Sequence, residues 1–413
     1  MQTPTFVYFR KWVRVSLLSL MLVAFLGMVM RYKIAYSLPI VDQNNFLEAH
    51  SHFAFAGWVT QILMTLMWYF LHQFLPEESL KKYRWILWGN LIAAYGMLFS
   101  FAFGGYGLFS LTFSFLSILV SWVFTVLFWA DLNRIPERTI GKSWFRAALI
   151  FNFISAFGAF YIAYLVEAQV QDPDSYLAAT YFYLHFQYNG WFFFACMGLF
   201  GSLLQQKGWD FQMLKKVFWL FAISCVPAYF LSALWLPMPG YIYILVILAA
   251  AGQFLGWAWL LGSGISRRSM LAPFISAQVK WLFSLAAVAL SIKLLLQLCS
   301  VIPPLSKLAF GFRPVVIGYL HLMFLGVITL FLLGYSRLNR FITTSSLGNA
   351  GVVVFVIGVL LNELFLMIQG LSYMNYTNLP YGNASLFGVG ALLFLGMVLL
   401  VSGLTRENPE AAP

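Results

Sequence analysis

Five histidines occur in 413 residues, and two of them stand at the mouth of one apolar stretch, Glu48-Ala49-His50-Ser51-His52-Phe53-Ala54-Phe55-Ala56-Gly57. The others are His72, His185 and His321. An imidazole can ligate a metal through either ring nitrogen, exchange a proton near neutrality, or both donate and accept hydrogen bonds. With 62% hydrophobic and 9% charged residues around it, an imidazole inside an apolar helix carries a cost that a function or a partner must offset. Two further ionisable residues raise the same question, Lys293 and Glu363, because both sit deep within apolar runs. Cys196, Cys225 and Cys299 lie in or beside such runs without Cys-x-x-Cys spacing, which predicts packed thiols rather than a disulfide framework. No Walker loop, nucleophile elbow or zinc-protease pattern is present.

The elements that must position these residues are helices. Apolar runs recur from end to end, each near the roughly 20 residues that a helix needs to cross the hydrocarbon layer. They predict an all-α polytopic membrane bundle of about twelve transmembrane helices in a single integral membrane domain over residues 1–413. The expected spans start near Val13, Ser51, Trp85, Leu108, Trp144, Tyr181, Val217, Ile242, Trp281, Val315, Gly351 and Ser385. The first is preceded by Arg10, Lys11 and Arg14 but followed by Met30-Arg31-Tyr32-Lys33 with no small-residue cleavage site, so it reads as a membrane helix, not a signal peptide. No internal repeat is evident in the residue identities, and Pro227 in the seventh span is the one break.

The formal charge of +11 would suggest nucleic acid in a soluble protein. Here Lys and Arg concentrate in alternate connections, such as those with Lys81, Lys82 and Arg84, Arg134, Arg138, Lys142 and Arg146, Arg267 and Arg268, and Arg337, Arg340 and Arg406. The intervening connections hold only Arg31, Lys33, Lys307 and Arg313. By the positive-inside rule this predicts a cytoplasmic (inner) membrane protein with both termini in the cytoplasm, a lipid bilayer as its partner and no nucleic acid.

That topology puts His50 and His52 at the outer end of the second span, with His72 about 33 Å further along the helix at the cytoplasmic surface. His185 enters the sixth span and His321 the tenth from the same outer side. Matched depth on three helices predicts that they meet around one cofactor. Residues two apart on a helix point about 200° apart, so His50 and His52 are not expected to bind the same iron. Lys293 and Glu363, with Asn362 beside it, each lie about three turns from the cytoplasmic end, as a buried ion pair or part of a proton path. Asn152, Gln187, Asn189 and Gln253 read as interhelical hydrogen-bond groups. A transporter using histidines as proton or metal-ion sites is the rival class.

Ile317-Gly318-Tyr319-Leu320-His321-Leu322-Met323-Phe324-Leu325-Gly326 resembles the tenth helix of subunit I in the haem-copper oxidase superfamily, particularly its C-type branch. Ala49-His50 before its apolar run resembles the second helix, and Tyr183-Leu184-His185 with Gly190 behind it resembles the sixth. The resemblance implies twelve spans, a b-type haem with His50 and His321 as axial ligands, His185 as a ligand of copper or another second metal, and respiratory-chain or cytochrome partners. The chain also departs from that pattern. Tyr319 stands where the high-spin haem ligand would be, and the span from Val217 to Leu236 has no histidine to hold copper. These departures argue against oxygen reduction and leave electron transfer or nitric oxide and small-gas chemistry. His52 is left for a second metal or a propionate, Arg31, Lys33 and Arg313 for propionates, and Tyr319, Tyr183 and Tyr188 for hydrogen bonds to a haem edge or bound gas. His50-Ser51-His52, and Leu320-His321 with Gly326, are similar as well to the NnrS family of twelve-span haem proteins associated with the nitric oxide response.

Overall fold

A computed structural model of the chain describes residues 4–267, 275–377 and 379–405. Arg268 and Arg406, which enter the charge pattern, lie outside the described residues. Among the described residues the protein is helical without strands, apart from an isolated antiparallel bridge between Thr344 and Leu404. In a bilayer this is the expected outcome, because a helix satisfies every backbone donor and acceptor within one segment.

Ten described helices are long and apolar enough to cross a membrane, and the bent pair Phe211–Cys225 and Pro227–Ala233 makes an eleventh if it is one span. The chain is a multi-pass membrane protein. This count differs from the expected twelve spans at two places. The sixth expected span lies in a continuous helix over residues 173–206, which is not among the ten; it opens on Pro173-Asp174-Ser175 and carries His185, Gln187 and Asn189 inward. The seventh bends by 46° at Pro227. Proline has no N–H and its ring clashes with the carbonyl four residues back, so the α-helix stops at Cys225 and continues as a 3₁₀ helix from Pro227 to Ala233.

The contacts divide the chain into two compact units. The first comprises residues 1–124 and 332–413, the second 125–331. In the first, helix Ser346–Met374 packs along Gly382–Ser402, which packs in turn on Pro4–Tyr36. Glycines make the first of these contacts close: a Cβ at Gly351 would meet the Leu400 backbone, and one at Gly396 the Phe355 backbone. Without a hydrophobic force between helices in lipid, this close packing is what holds them together. Arg10 and Arg14 both donate to the Thr405 carbonyl at 2.7 Å, and Arg10 also bonds the Thr343 hydroxyl, which ties the two ends of this unit.

In the second unit, helix Ile140–Glu167 packs against both halves of the 173–206 helix. Helices Phe211–Cys225, Gly240–Ser266 and Ala277–Cys299 follow as sequential neighbours, and Ala277–Cys299 rests on the segment after His321. Trp257 Nε1 donates to Ser291 Oγ at 2.8 Å between Gly240–Ser266 and Ala277–Cys299.

Candidate functional site

Each of the three helices expected to present a histidine from the outer side changes its winding just after that histidine. A π-helical segment runs over Ala54–Thr60 after His50 and His52, over Phe186–Phe192 after His185, and over Leu322–Thr329 after His321. Among the described residues these three helices hold the π segments. His185 follows His50 by 135 residues and His321 follows His185 by 136, so the pattern recurs at a nearly constant interval. A π turn inserts a residue into the ladder and leaves backbone groups without their usual partners, and such turns are frequent at functional sites. In the first unit the repair is visible: Asn90 Nδ2 donates to the Ala56 carbonyl at 2.9 Å and to Gln61 Oε1 at 2.7 Å, and Gln61 Nε2 donates to the Leu87 carbonyl. Asn90 and Gln61 are fully buried, and sequence reasoning missed both. The legible signal was two amides within apolar runs.

His50 Nδ1 lies 3.1 Å from the Val23 carbonyl on Pro4–Tyr36. A carbonyl only accepts, so Nδ1 carries the proton and the lone pair is on Nε2. Gly27, one turn past Val23, makes room for the ring: a Cβ there would touch His50 Cε1 at 3.4 Å. His52 points elsewhere, as the helical geometry requires. It stacks on Phe101 with ring centroids 4.5 Å apart, and its Nε2 is 3.6 Å from Glu48, which also accepts from Tyr106. His72 rests near Phe9 at the far end of the same span.

His185 is buried in the second unit and uses both ring nitrogens. The 3₁₀ turn at Pro227 pairs the Tyr229 N–H with the Val226 carbonyl, not with that of Cys225. The freed Cys225 carbonyl takes the proton on His185 Nε2 at 2.8 Å, and His185 Nδ1 accepts from the Asn189 amide at 3.2 Å. The imidazole thus satisfies a backbone group that the proline break exposes. Among the described residues no group of three or more His, Cys, Asp or Glu is arranged to hold a metal ion.

His321 Nδ1 lies 2.8 Å from the Ile317 carbonyl, one turn back on its own helix, which again puts the lone pair on Nε2. Its π segment touches that of the His185 helix, where Phe324 meets Tyr188 and Phe192 edge-on. Tyr319 is half-buried two residues before His321. Arg313 is exposed at the start of this helix, and Lys33 donates to the Leu38 carbonyl.

Lys293 and Glu363 belong to different units, and each has its own polar neighbour. Lys293 Nζ donates to Gln297 at 2.6 Å, while Glu363 accepts from Asn362 at 3.1 Å. Outside the spans, Asp172 caps the 173–206 helix by accepting from Asp174 N–H, and a hydrogen bond from the Ser175 hydroxyl holds its carboxyl below the usual range. Glu137 is lowered likewise by the hydrogen bond from Lys142.

No protein-family model matches the chain, and no characterised protein sequence matches it. The likeness to the oxidase and nitric-oxide-response families therefore rests on the motifs quoted above.

Proposed function

We propose that this is a multi-pass cytoplasmic-membrane haem protein, with both termini inside, in which His50 and His321 are the iron-binding imidazoles of b-type haem and the work is electron transfer. The observation that carries the reading is the state of the two rings. An iron-binding histidine needs its second nitrogen fixed by an acceptor, which sets the tautomer and raises the basicity of the ligating nitrogen. His50 and His321 have that arrangement, each with Nδ1–H on a backbone carbonyl and the lone pair on Nε2. His185 does not, and His52 is engaged with Glu48 and Phe101. These two rings therefore suit haem iron.

When bound, the haem supplies a one-electron couple. The chain contributes the backbone carbonyl that fixes each imidazole and an apolar surrounding. Iron held by two imidazoles would have no free position, which would favour electron transfer over gas binding. Respiratory-chain partners are the corresponding electron source. The test is an optical spectrum of the detergent-purified protein, oxidised and dithionite-reduced, for wild type, His50→Ala and His321→Ala. A sharp low-spin α band that either substitution abolishes or converts to a high-spin spectrum supports the reading, as does indifference of the wild type to carbon monoxide. Protein made with ample haem supply that carries none refutes it.

A further inference from the structure

Lys293 is 3% exposed in the apolar helix Ala277–Cys299, and Gln297 and Gln253 beside it are each 5% exposed. Its ammonium donates to Gln297 Oε1 at 2.6 Å, and Gln297 Nε2 donates to Gln253 Oε1 at 2.7 Å across to Gly240–Ser266. Gln253 is the central residue of its helix, whereas Lys293 and Gln297 lie six and two residues from the end of theirs. The acidic residues of this unit are Asp131, Glu137, Glu167, Asp172, Asp174 and Asp210, all at helix ends or in connections. His185 and Cys225 are within electrostatic reach of Lys293, and neither is a carboxylate.

A buried cation without a counter-charge costs several kcal/mol, and one amide oxygen does not cancel it. An ammonium has three donors, of which Gln297 takes one. The amide nitrogen of Gln253 supplies a further donor in the same network. Chains of this kind, with one positive charge and neutral amide donors in an apolar surround, suit a single compact negative charge.

We propose that Lys293, with Gln297 and Gln253, forms a binding site for a small monovalent anion in the membrane interior. This inference is independent of the haem reading, because none of its residues is an iron-ligand candidate. The charge on Lys293 holds the anion, Gln297 aims the ammonium, and Gln253 adds an amide N–H. A halide, nitrate or a short carboxylate shares that chemistry.

The test uses the full-length protein in detergent at constant pH and ionic strength, with sodium gluconate replaced stepwise by chloride, nitrate or formate. Thermal unfolding and tryptophan emission are read, Trp257 being the reporter one turn beyond Gln253. A saturable rise in unfolding temperature with at least one anion is expected for wild type, and the order among the three tells inorganic from carboxylate ligands. Lys293→Met should abolish the dependence, and Gln253→Leu should raise the apparent dissociation constant about tenfold. A wild type without saturable anion dependence overturns the proposal, as does a Lys293→Met protein that responds like wild type. Should Lys293→Met fail to fold, an unchanged response in Gln253→Leu overturns it equally.

Discussion

Replacing His185 with phenylalanine separates a structural imidazole from a metal ligand. The substitution keeps the aromatic bulk but removes two buried hydrogen bonds, one to the Cys225 carbonyl at 2.8 Å and one with Asn189 at 3.2 Å. The Cys225 carbonyl has no helical replacement, since Tyr229 N–H is bound to Val226. Hydrogen bonds between membrane helices average about 0.6 kcal/mol and reach ~1.7, and a stranded buried polar group costs about 1–3, so the expected loss is about 1–4 kcal/mol. For a unit of this size that is a fall of roughly 2–16 °C in unfolding temperature. The buried thiols of Cys196 and Cys225 provide the assay, because a fluorogenic maleimide reacts with them as the protein opens. His185→Gln, whose amide can still reach a carbonyl, should recover part of the loss. The haem spectrum of the folded His185→Phe protein should match that of wild type. Loss of the low-spin band without a change in stability would refute the structural role assigned to this ring.

Asn90→Leu should cost about 1–3 kcal/mol, because it strands the Ala56 carbonyl of the π segment and unties Gln61; the same thiol assay reads it. Glu137 is held below its ordinary range by Lys142, so its contribution is full above the unfolded value of about 4.3 and is lost as pH falls through the lower folded value. The wild-type unfolding temperature should accordingly drop more steeply between about pH 5 and pH 3 than that of Glu137→Gln.

The amino-acid sequence determined what depends on neighbours in the chain. Apolar runs of membrane length made the fold all-helical, because burial in lipid leaves the backbone no other way to satisfy itself. The 200° between residues two apart put His50 and His52 on different faces, as their contacts with Val23 and Phe101 show. Pro227 announced a break. Tertiary structure alone decided what that break was for: the carbonyl it freed belongs to Cys225, and the group that answers it is His185, 40 residues earlier. The π segments after the histidines were equally hidden, since a π turn has no residue signature and is set by neighbouring side chains such as Asn90. Depth alone marked Lys293 and Glu363, and the structure supplied the amide neighbour of each, Gln297 and Asn362. Depth is one coordinate read from a hydropathy pattern, whereas a contact also needs the facing and packing of helices, which distant residues fix.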